Sequence, residues 1–87
     1  MSKLTAAIEI SKFWRNRKGD AVIVQLSPYE GHDLIDIRSW YTSSDGKLAP
    51  GKGLSCAVRH LPELAAALNK ALIEARARGL LDDGGAG

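Results

Sequence analysis

The sequence predicts an α+β domain in which a four-stranded curved antiparallel β-sheet is followed by one long C-terminal α-helix. Three observations carry that expectation. Residues 21–27 are short and β-branched and 33–41 alternate with period two from Ile35 onward, turn signals recur too closely for any parallel crossover, and an Ala- and Leu-rich run after Leu61 keeps helical spacing.

The segment 21–27 (AVIVQLS) is short and β-branched, with Gly19-Asp20 before it and Pro28 after it, which favours a strand over a helix. Val22, Val24 and Leu26 then share one face. Residues 29–33 (YEGHD) supply a glycine-containing turn, and 33–41 is the returning strand of a hairpin, alternating from Ile35 onward. Ile35 and Ile37 point to the core, while Asp36, Arg38 and Trp40 project from the other face with Ile23 and Gln25. Asp45-Gly46 marks the next turn. Residues 47–49 form a short third strand ended by Pro50-Gly51, and 52–58 are a fourth extended segment.

From Leu61 to Arg78 one helix fits, with Pro62 tolerated in its first turn, Glu63 near its positive end, Arg76 and Arg78 near its negative end, and Gly79 placed to stop it. Leu61, Leu64, Ala65, Leu68, Leu72 and Ala75 make a stripe expected to face the core. Ala66, Ile73, Ala77 and Leu80 make a second stripe, whose small residues would let another helix approach closely. Either a broad apolar face lays both stripes on the one sheet, or a second copy covers what is left. The second is the economical answer, so a homodimer is expected. Residues 1–19 read as a basic, aromatic, partly ordered extended arm, in which Ile8 and Ile10 suit a strand and Ala6 and Ala7 a helix. The folded domain is expected over 20–81, and the tail 82–87 (DDGGAG) is expected to be disordered.

At 87 residues only about two thirds of the unfolded surface can be buried, so the core must be thin. No apolar run reaches the ~20 residues that span a bilayer, and the first residues lack the apolar core of a signal peptide, so a cytoplasmic protein with no membrane partner is expected. Cys56 alone cannot close an intrachain disulfide. With only His32 and His60 beside it, no metal site and no cofactor is expected. Catalysis would need Ser55 or Cys56 joined to His32 or His60 and Asp36, and nothing in the spacing joins them. Pro50-Gly51-Lys52-Gly53 lacks the GxxxxGK[ST] spacing of a phosphate loop. A non-enzymatic protein is expected.

The net charge of +2 is small, but residues 1–20 hold five cations, Lys3, Lys12, Arg15, Arg17 and Lys18, against Glu9 and Asp20. Within them, Phe13-Trp14-Arg15-Asn16-Arg17-Lys18 interleaves rings with cations, a mixture that can hold phosphates and offer rings to bases. The exposed sheet face, with aromatic Tyr29, Trp40 and Tyr41 near the strand ends, suits unpaired bases better than a duplex, whose bases are already stacked. The other reading of Trp40 and Tyr41 is that they cap the edge of the core.

Leu34-Ile35-Asp36-Ile37-Arg38, the pair Trp40-Tyr41, Asp45-Gly46, Pro50-Gly51-Lys52-Gly53 and Leu54-Ser55, in this order ahead of a C-terminal helix, resemble the positive cofactor four family of transcriptional coactivators. The likeness covers roughly residues 20 to 80 and looks like a bacterial member, active on the nucleoid. It implies dimerisation through the helices, here Leu64, Leu68, Leu72, Ile73 and Ala77, and single-stranded DNA held in two cradles formed by the sheets. By position, Tyr29 matches an aromatic that contacts bases and Tyr41 a stacking tryptophan, while Arg38 and Lys52 match basic residues along the DNA path. Glu30 and His32 stand where the family often has lysines, Ala49 replaces another basic position, and one of the paired basic residues before Gly53 is missing. Arg15, Arg17 and Lys18 are expected to compensate. The expected function is single-stranded DNA binding with little sequence preference, in transcription regulation, with stacking on Tyr29, Tyr41, Trp14 and Trp40 and phosphates on Arg38, Lys47, Lys52 and the N-terminal cluster. A melted duplex could fill both cradles. The alternatives are an RNA-binding protein and a protein interaction module acting on transcription proteins.

Overall fold

The computed structural model describes residues 3–81. A hairpin frames it: β2 (Ala21–Tyr29) and β3 (His32–Thr42) pair antiparallel without a register shift from Ala21 opposite Trp40 to Tyr29 opposite His32. Glu30 and Gly31 connect them with φ of 49° and 82°, the left-handed pair whose twist matches that of the flanking strands. β1 (Ile8–Trp14) lies beside β2, and β4 (Leu48–Ala57) lies beside β3, so the sheet order is β1-β2-β3-β4. One 3-10 turn, Val58–His60, leads into helix α1 (Leu61–Ala77).

A four-stranded antiparallel sheet followed by one helix is the architecture expected from the sequence, but two strands are composed differently. Residues 8–14, read as part of the arm, are a full strand of the sheet. Residues 47–49 and 52–58, read as separate strands, belong to one strand over 48–57. Pro50 does not end β4 because β4 is an edge strand, and its register shifts between Arg38 and Trp40, where β4 carries one extra residue. β1 carries a similar extra residue between Glu9 and Ser11. The proposed tail, 82–87, lies outside the described residues.

Two glycines let the chain approach itself closely. A Cβ on Gly53 would stand 2.5 Å from the Ile37 carbonyl oxygen and 2.7 Å from the Arg38 Cα, so no side chain fits there without parting β3 from β4. Gly19 has φ of 95°, and a Cβ there would meet the Thr42 Oγ1. That hydroxyl donates to the Gly19 carbonyl at 2.7 Å, tying the β1–β2 turn to the end of β3.

Directly opposed residues share a face, so the register sorts the sheet into two surfaces. Val22, Val24, Leu26, Ile35, Ile37, Leu54 and Cys56 lie on one, hereafter the apolar face. Of these only Ile35 is buried. On the other face Ala21, Ile23 and Asp36 are buried. Ile23, expected to be exposed, is 5% accessible because its cross-strand neighbours are Lys12 and Arg38, whose aliphatic stems can cover it.

The helix corrects a further expectation. Its first stripe was expected on the core, yet no residue of α1 is buried, and Leu68 and Ile73 remain 57% and 58% exposed. A three-residue 3-10 turn leads from edge strand β4 into α1, and the helix runs away from the sheet and is not laid over it. The radius of gyration is therefore 15.2 Å, against about 12 Å for a compact chain of this length. At its far end Leu80 N–H bonds the Ala75 carbonyl and Gly79 N–H the Arg76 carbonyl, with φ of 72° at Gly79, so the glycine stops the helix as expected.

Candidate nucleic-acid interface

The face opposite the apolar one is built in rows across the strands. Trp14, Ala21, Trp40 and Pro50 form an aromatic row nearest the β1–β2 and β3–β4 turns. Lys12, Ile23, Arg38 and Gly53 form the next row, and Glu9, Gln25, Asp36 and Ser55 the third. Beyond them come Ser27, Leu34 and Ala57, and then Tyr29 opposite His32. Between the aromatic row and Tyr29 lies a cavity of about 460 Å³.

Arg38 and Asp36 are two residues apart on β3, so their side chains leave the same face and meet. The guanidinium forks onto the carboxylate, Nη2 to Oδ1 at 2.8 Å and Nε to Oδ2 at 3.2 Å, and Nη1 reaches the Gly51 carbonyl at 2.9 Å. Hydrogen bonding to Asp36, and then its charge, raise the Arg38 pKa above its ordinary value. Arg38 is thus fixed to the floor of the face, with two of its five N–H groups left for a ligand.

Lys12 places its Nζ 4.7 Å from the centre of the Trp14 ring. The indole N–H of Trp40 is buried and meets no acceptor among the described residues. The β1–β2 turn is closed by Asn16, whose Oδ1 accepts from the Lys18 and Asp20 N–H groups while its Nδ2 donates to Asp20. The β3–β4 turn is closed by Ser43, whose hydroxyl bonds the Asp45 carboxylate and the Lys47 carbonyl. That hydroxyl, then the Lys47 N–H, hold the Asp45 pKa below its ordinary value.

Of the residues singled out from sequence, Tyr29, Arg38 and Trp40 line the cavity, and Trp14 is on the same face. Arg15, Arg17, Lys18 and Lys47 occupy the two turns at the aromatic end of the sheet, linked through Thr42 and Gly19. Lys52 is exposed in the β4 bulge. The structure does not bring Tyr41 onto the Arg38 face: strict alternation along β3 turns its half-exposed ring to the other side. Arg15 joins that side, with Nη1 3.3 Å from the Ser39 Oγ. Sequence reasoning did not single out Lys12. Its place opposite Ile23 becomes visible once 8–14 is known to be a strand.

The profile of the family described as Transcriptional Coactivator p15 (PC4) matches residues 14–67, well over half of the chain. Among solved structures, BPSL1147, a PC4 homolog from Burkholderia pseudomallei K96243, superposes with a TM-score of 0.67 at 20% identity, covering 80% of this chain and 95% of that one. A bacteriophage T5 homolog of the eukaryotic transcription coactivator PC4, implicated in recombination-dependent DNA replication, superposes with a TM-score of 0.64 at 22% identity, covering 88% of this chain and 98% of that one. No curated protein matches the sequence. The ordered motifs of β3 and β4, the sheet-then-helix architecture and the profile match converge, and the chain belongs to the PC4 family.

Proposed function

We propose that the protein is a non-enzymatic, homodimeric single-stranded-DNA-binding protein of the cytoplasm and nucleoid, acting in transcription regulation. The observation that carries this reading is the composition of the cavity face, where Trp14, Trp40 and Tyr29 stand beside Lys12 and Arg38, with Arg15, Arg17, Lys18 and Lys47 gathered at one end. Rings accept any base, at roughly 1–3 kcal/mol per stacked base, and the cations follow the phosphates. Lys52, exposed in the β4 bulge, adjoins this path, whereas Tyr41 faces the other side of the sheet and would be met only by a strand that wraps around the basic end. Family membership supports the reading, and the phage relative's link to DNA replication is compatible with it.

The dimer follows from what one chain leaves uncovered. A 17-residue helix with no buried residue is marginal in water, and the apolar face of the sheet has no cover of its own. Pairing through Leu64, Leu68, Leu72, Ile73 and Ala77 would bury both helices at once and set two cavity faces in one particle. Each would take one strand of a melted duplex.

The test is fluorescence anisotropy with a labelled ~20-nucleotide single strand, its duplex and the matching RNA at two salt concentrations. DNA single strands should bind best, weaken with salt, and lose roughly 1–3 kcal/mol on Trp40→Ala or Tyr41→Ala. Equal or tighter RNA binding would assign the surface to RNA. No binding to any of the three would refute the reading and turn attention to protein partners of the helix.

A further inference from the structure

We propose that Lys12 and Trp14 form a one-nucleotide subsite on edge strand β1, in which the Trp14 ring stacks a base and the Lys12 ammonium takes the phosphate of the same nucleotide. The inference rests on the single-stranded-DNA reading above and carries the strand path past the cavity to the outer edge of the sheet.

Both residues owe their place to the β1 bulge. Ile8 lies opposite Leu26 on the apolar face, and unbroken alternation from it would turn Lys12 and Trp14 to that face as well. The extra residue between Glu9 and Ser11 reverses the count, so both side chains leave on the cavity face, opposite Ile23 and Ala21. Re-aiming a side chain at a site is a recurrent use of bulges in edge strands. The family match begins at Trp14, so the bulge and Lys12 lie outside what that match accounts for.

The two tryptophans of the aromatic row are not equivalent. Trp40 is half-buried, with its indole N–H sealed from solvent. Trp14 is 57% exposed, and no strand lies on the outer side of β1 among the described residues, so this ring is the one open to a base. An indole stacks on any base, which makes the subsite indifferent to sequence.

The cations of the face divide in the same way. Arg38 is forked onto Asp36 and tied to the Gly51 carbonyl, so its charge is balanced where it stands. Lys12 pairs with no carboxylate among the described residues, and Glu9, the carboxylate of β1, stands on the far side of the bulge. The Lys12 ammonium rests instead 4.7 Å from the centre of the Trp14 ring, an attraction that is weak at an exposed site and that a phosphate outcompetes. A nucleotide carries its phosphate to one side of its base, so an ammonium beside an indole meets both groups of one nucleotide. The stem of the lysine can stay over Ile23 while its head moves.

The probe is a labelled deoxythymidine 20-mer, followed by anisotropy across a range of salt. Lys12→Met keeps the stem and removes the charge. It should lower the slope of log affinity against log salt by about 0.7, the share of one phosphate on a single strand, whereas Lys12→Arg should keep the wild-type slope. Trp14→Ala should weaken binding about tenfold with the slope nearly unchanged, and by a similar factor on a deoxyadenosine 20-mer. In the double variant the loss should fall clearly short of the product of the single losses, since both side chains hold one nucleotide. Lys12→Met tests the subsite even if Trp14→Ala fails to fold. An unchanged slope in folded Lys12→Met, or losses that simply multiply, would overturn the subsite, and weakened binding by Trp40→Ala would then leave the single-strand reading standing. A wild type that binds neither strand would overturn both.

Discussion

Gly53→Ala should damage stability and the interface together. The added methyl would stand 2.5 Å from the Ile37 carbonyl oxygen, 2.7 Å from the Arg38 Cα and 2.8 Å from its Cβ. Ordinary carbon contacts need about 3.5 Å or more, so β4 must retreat by roughly 1 Å, and the obstacle is backbone that no rotamer change can move. Overpacking of this kind costs about 1–3 kcal/mol. One or two weakened ladder hydrogen bonds add about 0.5–1.5 kcal/mol each, and the stiffer unfolded chain returns about 0.4–1 kcal/mol. The net is a loss of about 2–3 kcal/mol, a large part of the ~5 kcal/mol expected at the low end for a small domain. The melting temperature should fall by about 10–20 °C, followed by circular dichroism. Gly51→Ala is the control, since its nearest obstacle is the Ser39 carbonyl at 3.0 Å and its loss should be clearly smaller. Because Arg38 also bonds the Gly51 carbonyl, retreat of β4 should loosen the fork and weaken strand binding at temperatures where the variant is still folded. If Gly53→Ala melts no lower than Gly51→Ala, the close approach of β4 to β3 is not the constraint it is taken to be.

Neutralising Arg15, Arg17 and Lys18 together should reduce the slope of log affinity against log salt by about 2, from roughly 0.7 per phosphate contact on single strands, and an unchanged slope would remove the β1–β2 turn from the path. Leu68→Asp should give a monomer by sedimentation and a melting temperature that no longer rises with protein concentration. Asp45 has a folded pKa below its ordinary 3.8. Its contribution to the β3–β4 turn is thus complete above the unfolded value and lost as pH falls through the folded one, so turn amides should exchange faster below about pH 4. Asp45→Asn should remove that pH dependence, as read by NMR.

The central hairpin was legible in the sequence because β2 is short and β-branched, β3 alternates from Ile35 onward, and Glu30-Gly31 between them has turn composition. The outer strands were not. Ile10 is the extra residue that breaks the two-residue period of β1, and Pro50-Gly51 has the composition of a turn although an edge strand can absorb it in a bulge. The site inherited both effects. Arg38 and Trp40 could be placed on one face from β3 alone, whereas Lys12 needed the β1 register. Adjacency to Trp40 in sequence puts Tyr41 on the opposite side of the sheet, a placement that positional matching alone does not reveal. The helix was legible as a helix from Pro62 to Gly79, but its partner was not, since an apolar stripe specifies burial and not what does the burying.

Both outer strands of the sheet carry a bulge, β1 between Glu9 and Ser11 and β4 opposite the Arg38–Trp40 step. Each bulge leaves its rim without an evenly spaced row of amide and carbonyl groups, so a strand from a neighbouring molecule cannot zip along it for more than a few residues. Copies crowded side by side, as they would be on the nucleic-acid strand proposed above, would therefore meet at blunted edges, which disfavours fusion of their sheets into aggregates.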